Sequence, residues 1–261
     1  MSSRPSSDSQ ERDYVQSLGR GLTVLQAFNA ERPAMTLADM SRATGLTRAT
    51  ARRLLHTLVT LGFVCTDGRT FELTPRVLDL GFAYVSSLQL PDIAQPFMEG
   101  LSDRVHESVS ASVLDGTQIV YVARVNTQRI MGISLAIGSR LPAAWTSMGR
   151  VLLAGLTDAQ LEEFLDGLVV TGLTMHSITD IDVLRAEVHA VRSQGYALID
   201  QELEEGIRSV AAPLRDRRGR TLAAVNVGTH AARVTLKELR GVILPDLLET
   251  ARSIERQLAK R

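Results

Sequence analysis

The sequence predicts an α+β protein in two parts, and two observations carry that prediction. Within residues 14–74, helical segments separated by a glycine are followed by two short strands around Asp67-Gly68. From residue 109 onward, apolar strands and amphipathic helices follow one another in mixed order, as a largely antiparallel sheet with attached helices requires.

The elements are justified in chain order. Residues 1–13 are polar, carry no apolar signal-peptide core and read as a disordered tail. Leu18, Leu22, Leu25 and Phe28 recur at helical spacing, and Glu31-Arg32-Pro33 breaks that helix. Thr36 with Asp39 three residues later forms a capping-box pattern, opening a helix with Leu37, Met40 and Ala43 inside and Gly45 at its end. Thr47 caps a third helix, which runs to about Leu61 and stops at Gly62. Phe63–Leu73 then reads as a hairpin turning at Asp67-Gly68. Residues 75–90 read as a linker helix opened by Pro75, with Val77, Leu78, Gly81, Phe82 and Val85 on its apolar side. Pro91 and Pro96 mark a domain boundary, leaving 91–261 as the larger domain.

In that domain Val109–Leu114 and Gln118–Val125 flank Asp115-Gly116 as a second hairpin. Ile130–Ile137 is a further apolar strand. Helices start near Ser147 and Asp158, and a longer one spans Ile181–Ser193 and ends at Gly195. Strands Tyr196–Ile199, Arg208–Leu214 and Thr221–Gly228 follow, the last two joined by an Asp216–Gly219 turn. Leu236–Leu258 closes the chain as a long helix kinked at Pro245.

Composition bounds the function. The formal net charge is zero, so any anion-binding surface has to be a local patch. A single cysteine, Cys65, excludes an internal disulfide framework and reads as a small buried residue on a wing strand. No apolar run reaches the ~18 residues of a membrane span, and the reading is cytoplasmic with no membrane partner. The five histidines show no metal-ligand spacing, and there is no G-x-S-x-G or Walker A loop; no catalytic residue, metal or cofactor is expected.

Helix, glycine turn, helix and Asp-Gly hairpin are the parts of a winged helix-turn-helix, whose second helix enters the major groove. On the helix after Thr47, Ala51, Leu54, Leu55, Leu58 and Gly62 fall on one side. Ala49, Arg53, His56 and Thr60 lie opposite, flanked by Arg52 and Thr50, with Arg48 in the first turn. From Met40 to Thr66 there is no acidic residue, while Arg42, Arg48, Arg52 and Arg53 all occur. The DNA-contact candidates are therefore Thr47, Arg48, Ala49, Thr50, Arg52, Arg53 and His56, with Arg69 beside the wing turn. Which arginines read bases and which meet phosphate stays open.

Four segments carry a family resemblance: QSLGRGLTVLQAF (Gln16–Phe28), LADMSRATGLTRATARRLLHTLVTLGFV (Leu37–Val64), IGSRLPAAWTSMGRVLLA (Ile137–Ala154) and GYALIDQELEEGIRSVAAP (Gly195–Pro213). In this order they make the chain similar to the IclR family of bacterial transcription regulators. The resemblance implies a GAF-like effector domain, a linker helix pairing subunits into a homodimer or tetramer, and double-stranded DNA carrying a pseudo-palindromic operator as partner. TSMGR at Thr146–Arg150 resembles the branch controlling protocatechuate and β-ketoadipate catabolism, which implies a small organic acid effector such as protocatechuate or β-ketoadipate. Regulation of another carboxylic acid pathway, glyoxylate or sugar-acid metabolism, is the alternative; an enzyme or a winged-helix protein-interaction module is the remoter one.

Through the resemblance, Ser147 and Met148 at a helix start suit a carboxylate. Ile207, Ser209, Asn226 and Gly228 would face them from late strands, and Ile130, Ile133 and Leu141 would form an apolar wall. Asp200 could bond a ligand hydroxyl, although it and Glu202, Glu204 and Glu205 also read as a solvated loop. Some members carry Cys at the Ser209 position and serines at those of Asn226 and Gly228, a departure that favours a larger aromatic or dicarboxylic acid. Arg150 is expected to anchor the fold by an ion pair, and Trp145 is left between pocket rim and core.

Overall fold

The computed structural model describes residues 14–29, 31–81, 90–127 and 135–260. The chain divides into two compact units, Met1–Ser87 and Leu88–Arg261.

The first unit contains α1 (Gln16–Gln26), β1 (Ala34–Thr36), α2 (Leu37–Thr44), α3 (Arg48–Thr60), β2 (Val64–Thr66) and β3 (Thr70–Leu73). The Thr36–Asp39 capping box is formed, and the Thr36 hydrogen bonds hold the Asp39 carboxyl down at about 2. Gly45 ends α2 at φ +70°, a left-handed turn that costs glycine little. Thr47 caps α3 by accepting from the Thr50 amide at 3.2 Å. Ala51, Leu55 and Leu58 then bury against Val24, Phe28, Met35, Met40, Val64 and Phe71. The strands form one antiparallel sheet in the order β1-β3-β2.

Two expectations in this unit are corrected. Leu18 is 63% exposed and Leu22 is also exposed, because α1 buries Val24 instead; Phe28, just past its end, is buried as expected. Cys65 is exposed: Val64 takes the inward place on β2, and its neighbour points the other way. Strand β1, only three residues long beside Pro33, gave no readable pattern. After β3, Pro75–Val77 forms a 3₁₀ turn and Leu78–Gly81 are helical; the remainder of the expected linker helix, 82–89, lies outside the described residues.

The second unit opens with α4 (Leu90–Val105) and the hairpin β4 (Ser108–Asp115) and β5 (Gln118–Val125). It continues through β6 (Arg140–Pro142), α5 (Ser147–Ala154), α6 (Asp158–Asp166), α7 (Ile181–Gln194), β7 (Ala197–Asp200), β8 (Ile207–Arg215), β9 (Thr221–His230) and α8 (Leu244–Leu258). Six strands form an antiparallel sheet in the order β6-β5-β4-β9-β8-β7.

Period-two alternation separates the two faces of this sheet. Val109, Ala111, Val113, Val225 and Val227 pack on one side with Ile93, Met98 and Leu101 of α4 and Leu247 and Ile254 of α8. On the other side Ile119, Tyr121 and Ala224 pack with α5 and α7, through Met148, Val151, Leu184 and Val188. Pro91 stands in the first turn of α4, just after the division between the two units, and Pro96 lies in the helix interior. Interior proline removes a backbone donor, but burial of Leu90, Ile93, Ala94, Met98 and Leu101 keeps the helix. The irregularity near Pro245 is a π turn over Leu239–Ile243, just before α8. The expected strand at 130–137 lies mostly outside the described residues, and Leu135–Ile137 form no strand.

Candidate functional site

In the first unit, α3 presents one exposed face. Thr47, Arg48, Ala49, Arg52, Arg53 and His56 are all exposed there, and Thr50 is half-buried. Thr47 and Thr50 cap the helix together, their hydroxyls 3.0 Å apart. The His56 ring lies edge-on to Phe71, 6.2 Å between centroids, so it also braces α3 against the wing sheet. Arg42 is tied to Asp39, whereas Arg48, Arg52 and Arg53 meet no carboxylate among the described residues. Arg69 is exposed beside the wing turn, where Asp67 Oδ1 accepts from the Arg69 and Thr70 amides at 2.8 and 2.6 Å. The result is a cationic ridge on a helix whose back is fully packed.

In the second unit a cavity of about 450 Å³ lies on the sheet face opposite α4 and α8. Strands β4, β8 and β9 supply Ser108, Ser110, Ser209, Asn226 and Gly228 to its floor, and the start of α5 supplies Thr146, Ser147 and Met148. The strand register explains the floor: Ser110 stands beside both Arg124 and Asn226, and Gly228 beside both Ser108 and Ser209. Thr146 caps α5 through the Gly149 amide at 3.1 Å, leaving the Ser147 hydroxyl free to face the cavity. Ser147 Oγ and Asn226 Oδ1 are buried without a hydrogen-bond partner among the described residues. Native structures rarely leave such atoms unpaired, and a cavity lined by two of them is suited to a polar ligand.

Of the effector residues expected from sequence, Leu141, Ser147, Met148, Ile207, Ser209, Asn226 and Gly228 line this cavity. Ile130 and Ile133 lie outside the described residues. Asp200 is corrected: it does not line the cavity, because its carboxylate is held by Arg208 beside it on β8. Glu202 is corrected as well; it is buried, not solvated, and pairs with Arg150 at 2.5 Å. Trp145 both packs and lines, its Nε1 donating to the Ile178 carbonyl at 3.0 Å.

Sequence reasoning missed Tyr121 and Arg124. Burial pushes the Tyr121 phenol up to about 12, so it stays a neutral donor. A β-bulge puts the two residues on one face. The β4–β5 register jumps from Ala111↔Ala123 to Ser112↔Tyr121, so Val122 and Ala123 both turn to the α4 side while Tyr121 and Arg124 both reach the cavity. The signal available in the sequence was a lone arginine closing an otherwise apolar strand.

A packed helix-turn-helix with a cationic ridge, together with a separate unit enclosing a polar-lined cavity, defines a ligand-responsive DNA-binding regulator. Comparison with known proteins makes the assignment particular. The IclR helix-turn-helix domain matches residues 17–68, and the bacterial transcriptional regulator IclR C-terminal domain matches residues 82–256. The Pca regulon regulatory protein of Pseudomonas putida is 45% identical over 94% of this chain and 85% of its own length. A regulator from Rhodococcus sp. RHA1 superposes with a TM-score of 0.85 at 55% identity, covering 94% of this chain and 98% of that one. An IclR homologue from Microbacterium hydrocarbonoxydans, solved with 4-hydroxybenzoate, superposes at 0.83 with 25% identity, covering 93% and 99%. The chain belongs to the IclR family of bacterial transcriptional regulators, and it is a regulator rather than an enzyme. No helix among the described residues is long and apolar enough to cross a membrane.

Proposed function

We propose that this regulator controls genes for aromatic acid breakdown by the protocatechuate and β-ketoadipate route, acting in the cytoplasm and sensing a hydroxylated aromatic acid in the second unit. The observation that carries the reading is the cavity itself: about 450 Å³, with two buried polar atoms that have no partner among the described residues and a half-buried arginine on its wall. That volume falls in the usual range for small-molecule sites. The Pseudomonas putida relative and the 4-hydroxybenzoate bound to the Microbacterium homologue support an aromatic acid over a two-carbon one.

On the DNA side, two copies of the protein place their α3 helices in successive major grooves of a pseudo-palindromic operator, about 34 Å apart. Arg48, Arg52, Arg53 and Arg69 supply phosphate and base contacts, and Thr47, Ala49, Thr50 and His56 complete the face.

A thermal-shift series with protocatechuate, 4-hydroxybenzoate, β-ketoadipate, glyoxylate and pyruvate tests the sensing half. A ligand at 100 times its Kd raises stability by about 2.7 kcal/mol. The expected result is stabilisation by an aromatic acid. Stabilisation by glyoxylate or pyruvate alone overturns the reading.

A further inference from the structure

Among the described residues, Arg124 is a cation with no anion beside it. It is half-buried on the cavity wall, and its guanidinium is held only by neutral oxygens: Nη1 donates to Ser110 Oγ at 3.1 Å and Nε to Asn126 Oδ1 at 2.6 Å. The other arginine lining the cavity among the described residues, Arg233, pairs with Glu107 at 2.9 Å. Desolvation without a counter-charge draws the Arg124 pKa below its ordinary value, which means the cavity holds this charge at a cost that an anion would relieve. A guanidinium has five N–H donors in a planar fork, and the bonds to Ser110 and Asn126 leave others to grip a carboxylate.

Other groups lining the cavity have the opposite character. Ser147 Oγ and Asn226 Oδ1 are buried, neutral and without a partner among the described residues, and Asn226 Oδ1 can only accept. Arg124, Ser110 and Asn226 form one row across β5, β4 and β9. With strands about 4.8 Å apart, the ends of that row stand about 10 Å apart at Cα, room for a single aromatic ring between the side chains.

We propose that Arg124 is the carboxylate anchor of the cavity and sets the orientation of the acid, carboxylate on Arg124 and ring hydroxyl on Ser147 and Asn226. This rests on the reading of the cavity as a site for a hydroxylated aromatic acid. It reverses the orientation expected from sequence, in which the start of α5 takes the carboxylate. A full guanidinium charge outweighs the roughly half charge of a helix N-terminus.

Calorimetric titration of the full chain with 4-hydroxybenzoate, benzoate and 4-hydroxybenzamide tests the assignment. Wild type should prefer the acid to the amide, and Arg124→Met should erase that preference by weakening the acid about 10- to 150-fold while the amide is little changed. Ser147→Ala should keep the acid-over-amide preference and lose the preference for 4-hydroxybenzoate over benzoate. Arg124→Lys, which retains the charge without the fork, should fall between wild type and Arg124→Met and serves if the methionine variant does not fold. An unchanged acid preference in Arg124→Met, or its loss in Ser147→Ala, overturns the anchor alone. Failure of wild type to bind any of the three overturns the aromatic-acid reading and the anchor with it.

Discussion

Arg124 and Arg150 both belong to the effector unit, and their surroundings give them opposite tasks. Arg150 is 1% exposed; its Nε donates to the Ala144 carbonyl at 3.0 Å and its Nη2 meets Glu202 at 2.5 Å. Burial pushes the Glu202 carboxyl above its ordinary value against the pull of Arg150, yet the arginine cannot shed its proton and keeps the pair ionic. Glu202→Gln should therefore strand a buried cation and lower stability by about 3–5 kcal/mol, read as a fall in denaturation midpoint. The double change Arg150→Met with Glu202→Leu should cost less than the single one. A Glu202→Gln variant as stable as wild type would mean that Glu187, 3.9 Å from Arg150, balances the charge instead. The ion pair of Arg150 was legible in the sequence, since an arginine in an apolar helix needs one. Its partner was not, because four acidic residues crowd positions 200–205 and only the fold buries Glu202 among them. Arg124 was hidden for another reason: strict alternation from Tyr121 sends it to the opposite face, and only the bulge brings it back.

At the scale of elements, α5 shows how a motif becomes a site. A Cβ on Gly149 would sit 2.0 Å from the Ala143 carbonyl oxygen and 2.5 Å from two further backbone atoms of Ala143. The glycine thus lets α5 press against the turn before it, which sets Ser147 and Met148 over the sheet. Gly149→Ala should force the two apart, costing about 1–3 kcal/mol and abolishing the acid-induced thermal shift. A variant that still responds to the acid would show that this close approach does not shape the cavity. Capping residues made α2 and α3 readable, because Thr36 and Thr47 each act locally on the turn that follows. Helix α4 was unreadable because Pro96 in its interior speaks for a break, while the sheet that overrules it is folded from distant segments.

For the molecule as a whole, a cavity in one unit can govern DNA binding in the other only through unequal affinity of the acid for two states. The exchange is reciprocal: operator DNA must shift acid affinity by the same factor that acid shifts operator affinity. The two folds were legible in outline, since each is encoded by its own periodicity and turns. The coupling was not, because it depends on energy differences between states that no single pattern of residues records. Its most direct measurement is the affinity of the full chain for its own upstream DNA, at fixed salt, with and without a saturating aromatic acid. Sequence-selective binding that weakens with salt, and changes about 5- to 150-fold on adding the acid, is the predicted result. Operator affinity unmoved by an acid that demonstrably binds, or binding indifferent to DNA sequence, would contradict it.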